Sequence, residues 1–211
     1  MHRYFIKISW FIRWLFPSYV WRIPSDEKAV YLTFDDGPDP VVTPWVLQEL
    51  KKYDAPATFF CIGEMVQQHP DVYRRLLSEN HAVGNHTFHH FNGWNTNQET
   101  YISDVVKAAA FIDSNLFRPP YGRIRSAQAK AIPGALGKSD AQIIMWDVLS
   151  ADFDPAFTPE QCLANVIDNV SAGSIIVFHD SEKAFPNLRY ALPVVLEFLK
   201  KEGYILKKIE I

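Results

Sequence analysis

The sequence predicts an α/β fold built on a parallel sheet. Apolar runs of strand length alternate with helical patterns about seven times between residues 28 and 211, and such alternation is typical of βα units. The runs at 143–146 and 174–178 are almost wholly apolar, as expected for strands that are covered on both faces. This pattern leaves open whether the units close into a barrel or form an open doubly wound sheet.

Strands are predicted where a short β-rich or apolar run is followed by turn residues. In chain order they cover residues 29–34, 57–62, 82–85, 116–118, 142–148, 174–179 and 204–209. Helices are predicted where the apolar residues return at helical spacing. They cover residues 43–53, 64–79 with a break near Pro70, 98–114, 126–136 with a break at Pro133, 159–170 and 188–201. Asn97 is the expected N-cap of the third helix, and Thr158 followed by Pro159 opens the fifth.

Composition narrows the class of protein. The 211 residues carry 21 Lys and Arg against 24 Asp and Glu, a balance that argues against a nucleic-acid-binding protein. Two cysteines do not make a disulfide framework. The first strand is followed by neither G-x-G-x-x-G nor a P-loop. No apolar stretch is long enough to span a membrane, and nothing in the sequence indicates a protein partner. We expect one domain over 28–211, preceded by an aromatic and basic segment over 1–27.

The N-terminal segment allows two interpretations. Residues 1–24 contain eight aromatic and four basic residues and no acidic residue. One interpretation, favoured by the helical spacing, is an extra helix that packs Phe5, Ile8, Ile12 and Leu15 on the domain. The other is a helix that makes peripheral contact with an anionic membrane. Lys7 interrupts the apolar stretch that a signal peptide needs. We therefore expect a protein that is cytoplasmic or peripheral to the inner face of the membrane.

Reactive residues follow the predicted strands at their carboxyl ends, the face where parallel α/β folds bind ligands. They are Asp35, Asp36, His86, His90, Arg118, Asp147, Asp152, His179 and Asp180. We therefore expect several of them to converge, although each group taken singly has a simpler interpretation. Asp35-Asp36-Gly37-Pro38 reads as a turn, and a lone His179 at a strand end reads as a structural histidine.

A metal site is the functional interpretation of the first two groups. Adjacent carboxylates do not both stay ionised cheaply unless a cation is near. His86 and His90 are spaced i, i+4, and neutral imidazole suits Zn²⁺, Co²⁺ or Ni²⁺. Three ligands, Asp36, His86 and His90, would leave one position open, which is the pattern of a catalytic site. His81 and His89 fit a polar His-rich loop and are left outside the site.

Arg118-Pro119-Pro120-Tyr121 combines a cation with a stiff turn. The two prolines lack N–H groups, so Tyr121 carries the first backbone N–H after Arg118. One rigid N–H donor is suited to stabilising an oxyanion, and the Arg118 guanidinium can hold a carboxylate in a bidentate fork. His179, once placed near a metal and carboxylates, becomes a candidate general acid.

Taken in this order, the motifs resemble those of the NodB-type polysaccharide deacetylases, carbohydrate esterase family four. Thr33 to Pro38 is similar to the first motif of that family, His86 to His90 to the second and Arg118 to Tyr121 to the third. Asp147 to Phe153 resembles the fourth, with Asp152 as its aspartate, and Val177 to His179 resembles the fifth. The resemblance runs from about residue 29 to 209.

The resemblance implies a distorted (β/α) barrel of about seven units and one divalent metal, usually zinc, held by Asp36, His86 and His90. It implies that Asp35 is the general base, oriented by Arg118, and that His179 is the general acid, tuned by Asp152. The Tyr121 N–H would contact the oxyanion. The apolar pocket would be lined by the residues Tyr121, Trp146, Phe153 and Val177.

Two positions depart from the family pattern, because Phe153 stands where Trp is usual and Val177 where Leu is usual. Both changes keep the pocket apolar, so we expect altered fit and retained chemistry. The expected function is hydrolytic deacetylation of N-acetylated amino sugars in chitin-like or peptidoglycan-like chains. The alternatives are a metal-dependent amidohydrolase acting on a small or lipid-linked amide, and a carbohydrate-binding protein on a catalytically decayed scaffold.

Overall fold

The structure, a computed structural model, describes residues 5–211. Within that range the strands are β1 (Ala29–Asp35), β2 (Thr58–Cys61), β3 (Ala82–Asn85), β4 (Leu116–Phe117), β5 (Gln142–Ile143), β6 (Val148–Leu149), β7 (Ile175–His179) and β8 (Ile205–Leu206). The helices are α1 (Trp10–Leu15), α2 (Val42–Lys51), α3 (Gly63–Gln68), α4 (Pro70–Ser78), α5 (Gln98–Ala109), α6 (Ser126–Leu136), α7 (Pro159–Ile167) and α8 (Phe185–Lys201). One 3₁₀ turn covers Pro120–Gly122.

The strands form one parallel sheet in the order β5-β4-β3-β2-β1-β7-β6, and β8 pairs with the start of β1. The sheet curls into a half-barrel whose edge strands are β5 and β6. The predicted α/β class and distorted barrel are therefore confirmed.

Strand alternation divides the core into two layers. In β1, Val30, Leu32 and Phe34 pack outward with the helices in the largest apolar cluster, whereas Tyr31 lies in the inner cluster together with Ile175 of β7. Because side chains alternate along a strand, the inner face also carries Thr33 and Asp35 on β1 and Val177 and His179 on β7. The site residues thus continue the inner core at its carboxyl end.

The predicted strand over 142–148 is wrong in one respect. β5 ends at Ile143, and the chain then crosses the gap in the barrel to begin β6 at Val148 beside β7. The physical reason is Arg118, whose Nε and Nη2 donate to the carbonyl oxygens of Ile144 and Met145 at 3.2 and 2.9 Å. These carbonyl groups accept hydrogen bonds from the buried Arg118 guanidinium and not from a neighbouring strand. The strand therefore does not continue through the crossing segment.

Smaller differences concern the ends of elements. The third helix ends at Ala109 and not at 114, the last helix begins at Phe185, and the last strand is only Ile205–Leu206. Helix α6 continues through Pro133 without the predicted break and ends at Gly137, whose φ of 65° is the left-handed conformation that favours glycine. The predicted break near Pro70 is present between α3 and α4.

The N-terminal segment lies along both edges of the open barrel. Lys7 bridges antiparallel to Val148 of β6, and Val20 bridges parallel to Ile144 next to β5. This pairing satisfies backbone groups that an open sheet would leave exposed. Helix α1 joins the two contacts.

Only half of the predicted stripe packs on the domain. Ile8 is buried and Ile12 packs on an apolar cluster, but Phe5 and Leu15 are exposed. The exposed apolar side chains of this segment are Phe5, Trp10, Phe11, Trp14, Leu15 and Phe16. Among residues 5–211, no helix is long and apolar enough to cross a membrane.

Candidate active site

The candidate site lies at the carboxyl ends of four strands. Asp35 ends β1 and is in register with His179, which ends β7, so their backbones lie one strand spacing apart, about 4.8 Å. His86 follows β3 and Arg118 follows β4. Residues that are up to 144 positions apart in sequence thus meet at one edge of the sheet, as predicted.

Asp35 is held by a buried cation. Its Oδ1 accepts from Arg118 Nη1 at 2.6 Å, and the same Nη1 donates to Thr33 Oγ1 at 2.7 Å. Arg118 is fully buried, and its guanidinium lies 4.0 Å above the ring centre of Phe60. With every nitrogen of the guanidinium engaged, the cation cannot turn away, and the Asp35 carboxylate is fixed in orientation.

His179 is held by Asp152. The ring Nδ1 lies 2.8 Å from Asp152 Oδ1, and the His179 backbone N–H donates to Oδ2 of the same carboxylate at 2.9 Å. Ser150 Oγ donates to Asp152 Oδ1. Burial by itself lowers the pKa of His179, but the charge and hydrogen bond of Asp152, with further help from Asp36 and Asp35, raise that pKa to about 9. The ring is therefore cationic at neutral pH, and its Nε2 is left for the site.

The three predicted metal ligands form one cluster. Their ligand atoms all lie within 4.8 Å of one another, with His90 Nε2 at 3.2 Å and His86 Nε2 at 3.8 Å from Asp36 Oδ1. His86 Nδ1 lies 2.7 Å from the Arg118 carbonyl oxygen, which fixes the tautomer that leaves Nε2 for a metal. Burial lowers the pKa of His86 to about 4, so the ring is neutral, as a ligand must be.

The same cluster shows that a cation would fit. Asp36 Oδ1 is buried and has no hydrogen-bond partner in the described chain, and such atoms are rare unless an ion or water satisfies them. Burial raises the pKa of Asp36, but His90, His179 and His86 outweigh that effect and lower it well below its usual range. One carboxylate and two imidazoles are a ligand set that zinc accepts.

The backbone is strained at Asp36 and in the loop 86–90, which together carry the predicted ligands. Thr87 and His90 have φ of 64° and 58°, and Asp36 has φ of 81°, conformations that non-glycine residues rarely adopt. Asp104 of α5 stabilises the loop, because its Oδ2 accepts from the backbone N–H groups of Phe88 and His89. Its Oδ1 contacts the His89 ring.

Asp104 was missed by the sequence analysis, although a signal was present. It occupies the apolar stripe of α5 formed by Tyr101, Val105 and Ala108, where an acid needs a buried partner. Its partners are the backbone N–H groups of Phe88 and His89 and the exposed His89 ring, which lies outside the Asp-His-His cluster. His81 also lies outside the site and accepts from the Ala57 N–H.

The Arg118-Pro119-Pro120-Tyr121 motif forms the predicted stiff turn. The N–H groups of Gly122 and Arg123 donate to the carbonyl oxygens of Pro119 and Pro120, whereas the Tyr121 N–H has no such backbone partner in the described chain. Tyr121 adopts φ of 61°, and its ring lies 4.6 Å from that of His90. The Tyr121 side chain thus lies beside the Asp-His-His cluster.

The predicted pocket residues surround this centre. Phe153 packs edge-on against His179 with ring centres 4.7 Å apart, and Val177 is fully buried on the same strand face as His179. Trp146 lies under the turn, since a Cβ on Gly122 would come within 2.5 Å of its ring. The small residue at 122 is required both by this contact and by its φ of 64°.

Two of the strand-end acids, Asp147 and Asp180, belong neither to the Asp-His-His cluster nor to the pairs with Arg118 and His179. Asp147 contacts Lys7 at 2.6 Å and Ser174 Oγ at 2.6 Å, so it anchors the N-terminal segment. Asp180 is buried, accepts from the Gly37 N–H and from Thr43 Oγ1, and donates its own N–H to the Asp35 carbonyl. It therefore supports the turn that carries Asp35 and Asp36.

The fold and site define a class, a curled parallel α/β barrel with an Asp-His-His cluster beside the buried Asp35–Arg118 and Asp152–His179 pairs at the strand ends. The polysaccharide deacetylase family matches residues 22–136. The chain belongs to this family, which is metal-dependent, and the predicted resemblance is confirmed.

Individual relatives agree. A peptidoglycan-N-acetylglucosamine deacetylase of Bacillus cereus is 36% identical over 190 residues, which cover 87% of each chain. A chitooligosaccharide deacetylase of Azorhizobium caulinodans is 33% identical over 206 residues, covering 89% of this chain and 96% of the relative. The crystal structure of the Bc1960 peptidoglycan N-acetylglucosamine deacetylase matches with a TM-score of 0.84 at 30% identity and covers 94% of each chain.

Proposed function

We propose that this chain hydrolyses the N-acetyl amide of N-acetylated amino sugars in glycan chains of the peptidoglycan or chitooligosaccharide kind, releasing acetate. The single observation that carries the proposal is the convergence of an Asp-His-His cluster with a buried Asp–Arg pair and an Asp–His pair at one sheet edge. Water replaces the sugar nitrogen on the acetyl carbon, so the reaction yields acetate and a free amine.

The metal ligands in this proposal are Asp36, His86 and His90, and the favoured metal is Zn²⁺, with Co²⁺ and Ni²⁺ as alternatives. Support comes from the fixed His86 tautomer and from the buried Asp36 Oδ1, which faces both imidazoles and accepts no hydrogen bond of regular geometry among the described residues. When bound, such a cation supplies Lewis acidity toward the acetyl carbonyl and toward water.

Asp35 acts as the general base that takes a proton from the attacking water. Its carboxylate is held by Arg118 at 2.6 Å, so one oxygen stays directed at the site while the other is tied back. As the water attacks, negative charge develops on the acetyl oxygen. The Tyr121 N–H donates a hydrogen bond to that oxygen, a contact that strengthens as the charge grows.

His179 acts as the general acid. An amine is a poor leaving group unless it is protonated, and the His179 ring is cationic because Asp152 raises its pKa to about 9. Asp152 holds Nδ1, so the proton leaves from Nε2. Because Asp35 and His179 end neighbouring strands, the groups proposed to remove and to deliver the protons are placed at the same edge of the sheet.

The test is acetate release from N-acetylchitooligosaccharides and from peptidoglycan fragments by protein loaded with Zn²⁺. We expect release by the wild type and a loss of about a thousandfold in kcat for Asp35→Asn. If the loaded wild type released no acetate from either substrate, the proposal would fail, and small or lipid-linked amides would be tested next.

We also propose that helix α1 and its flanks make peripheral contact with a membrane. The side chains of Trp10 and Trp14 are 71% and 67% exposed, an unusual amount for tryptophan, and amphipathic aromatic side chains are typical of the membrane interface. Lys7 and Arg22 are directed at Asp147, so the aromatic side chains, more than charge, would supply the contact.

Vesicle binding tests this second proposal. Deleting the segment would uncover both sheet edges, so substitution is the cleaner change. We expect the double variant Trp10→Ala with Trp14→Ala to bind phosphatidylglycerol vesicles about tenfold more weakly than the wild type. Trp94→Ala, which removes an exposed tryptophan elsewhere, is the matched control. Equal binding by the double variant and the control would overturn the proposal.

A further inference from the structure

A third exposed tryptophan, Trp94, follows the loop that carries His86 and His90. Trp94 stands four residues after His90 and is 55% exposed. Its turn is closed by Asn92, whose side-chain oxygen accepts from the Trp94 N–H and whose carbonyl accepts from Asn95 N–H and Thr96 Oγ1. The side chain that this turn presents to solvent is therefore large, flat and apolar.

The turn is fixed by a buried amide. Gln128 of α6 has no exposed surface, and its Nε2 donates to the carbonyl oxygens of Gly93 and Thr96 at 2.9 and 3.1 Å. A Cβ on Gly93 would come within 2.5 Å of the Arg123 carbonyl oxygen, so the two segments touch backbone to backbone. Such rigidity is what a preorganised binding surface needs.

Two arginines flank the tryptophan. The Arg123 guanidinium lies 5.1 Å from the centre of the Trp94 ring, and Arg125 Nη2 donates to the Trp94 carbonyl oxygen. Both arginines are exposed, and neither forms an ion pair with any residue in the 5–211 range. The local surface thus combines an aromatic face with positive charge that the protein itself does not neutralise.

This surface continues directly from the catalytic centre. Arg123 is two residues after Tyr121, so their Cα atoms are at most about 7.6 Å apart. Tyr121 in turn contacts the ring of the metal ligand candidate His90. A glycan whose N-acetyl group lies at the Asp-His-His cluster can extend its next units in two directions. One of these directions leads to Trp94.

We propose that Trp94 and Arg123 form a glycan subsite that selects strands carrying carboxylates, which are the peptidoglycan kind and not the chitin kind. The apolar face of a sugar ring stacks on Trp94, and Arg123 pairs with a carboxylate of the strand, either on the lactyl group or on an attached peptide. Arg125 adds positive charge at the same place. The proposal rests on the proposed deacetylase function and names its substrate class.

The experiment compares four tetrasaccharide-based ligands on metal-loaded protein. They are a peptidoglycan tetrasaccharide with free lactyl carboxylates, the same strand with those carboxylates amidated, the strand with peptides attached, and neutral N-acetylchitotetraose. Dissociation constants are measured by calorimetry in the Asp35→Asn background, which prevents turnover. Values of KM for acetate release are measured in the active protein.

We expect the variants to distinguish the charge contribution of Arg123 from the stacking contribution of Trp94. Arg123→Gln weakens binding of the carboxylate-bearing strand about fivefold and leaves the amidated strand and chitotetraose unchanged. Trp94→Ala weakens all four ligands about tenfold. If the lactyl carboxylate is the partner, the effect of Arg123→Gln is seen with the free lactyl strand, and if the peptide is the partner, it is seen only with the peptide strand.

Matched controls are Arg74→Gln and Trp14→Ala, which remove an exposed arginine and an exposed tryptophan on other elements. An equal effect of Arg123→Gln on charged and neutral strands, or no effect on any strand, overturns the subsite even when acetate is released. If the wild type releases no acetate from any strand, the proposed function fails, and the calorimetric comparison alone decides the subsite.

Discussion

The two halves of the site are held in different ways. On the proton-transfer side, Asp35 and His179 each have a buried partner of opposite charge, Arg118 and Asp152. On the predicted metal side, Asp36, His86 and His90 face one another, and Asp36 Oδ1 accepts no hydrogen bond of regular geometry among the residues described, although His90 Nε2 lies 3.2 Å away. The first half is electrostatically complete, whereas the second half is complete only with a cation.

The backbone follows the same division. Asp35 and His179 lie at the ends of the two best-formed strands, β1 and β7, in regular register. The ligands Asp36 and His90 lie just beyond strands, in left-handed conformations. The proposed acid and base are thus placed by regular structure, and the proposed metal ligands by turns that need outside support. The following predictions test this difference.

The largest effect is expected from removing a metal ligand. His86→Ala leaves a buried carboxylate with one remaining imidazole, so we expect loss of bound Zn²⁺ and a loss of more than about a thousandfold in kcat/KM. Metal content by atomic absorption and acetate release measure the two effects. Stoichiometric zinc together with near-normal activity would show that His86 is not a ligand.

The Asp35→Asn variant should impair the proton-transfer side of the site and leave the metal side intact. Because Asp35 is outside the Asp-His-His cluster, we expect the variant to keep one zinc per chain while kcat falls about a thousandfold. Asp36→Asn, one residue further along the same turn, is the matched control and should lose metal as well as activity. Loss of zinc from both variants would contradict the division of roles.

Asp152→Asn should change the pH profile. In the proposed mechanism His179 delivers the proton, so activity should fall as pH rises through the pKa of His179, which Asp152, together with Asp36 and Asp35, raises to about 9. Removing that charge lowers the pKa, so the alkaline limb moves to lower pH and kcat at pH 8 falls about tenfold. An alkaline limb at the same pH in both proteins would exclude His179 as the titrating acid.

The same shift contributes to stability. The folded pKa of His179 exceeds that of an unfolded histidine, so this contribution is complete below about pH 6.5 and is lost as pH rises through about 9.

The smallest effect is expected at Asp104, which supports the ligand loop from outside. Asp104→Ala removes the acceptor for the Phe88 and His89 N–H groups, so zinc affinity should fall about tenfold while kcat at saturating zinc stays close to normal. Asp113→Ala, at an exposed acid paired with Lys138, is the control. A zinc affinity equal to that of the control would show that the loop 86–90 keeps its conformation without Asp104.

The same division explains what the sequence could predict. The order of strands and helices and the convergence at the strand ends follow from local pattern, because parallel strands place their carboxyl ends on one face. The fate of residues 144–147 does not follow, because it depends on the buried Arg118 side chain from another strand. The roles of Asp104 and Gln128 likewise depend on long-range contacts with loops.

The N-terminal segment gave the least reliable prediction for the same reason. Its apolar spacing indicated one packed stripe, yet Ile8 is buried and Phe5 is exposed. What the segment packs against is the pair of sheet edges beside the crossing segment, and no local pattern in residues 5–23 encodes those edges.

The pairing of the N-terminal segment with both sheet edges also sets the order in which contacts form during synthesis. Lys7 contacts Asp147, 140 residues later in the chain, so this segment is synthesised well before the partners that anchor it. Until about residue 150 has emerged, the nascent chain carries Trp10, Trp14 and Trp21 without the edges that anchor this segment. The barrel therefore closes late, through contacts of high sequence separation, which are the slow kind to form.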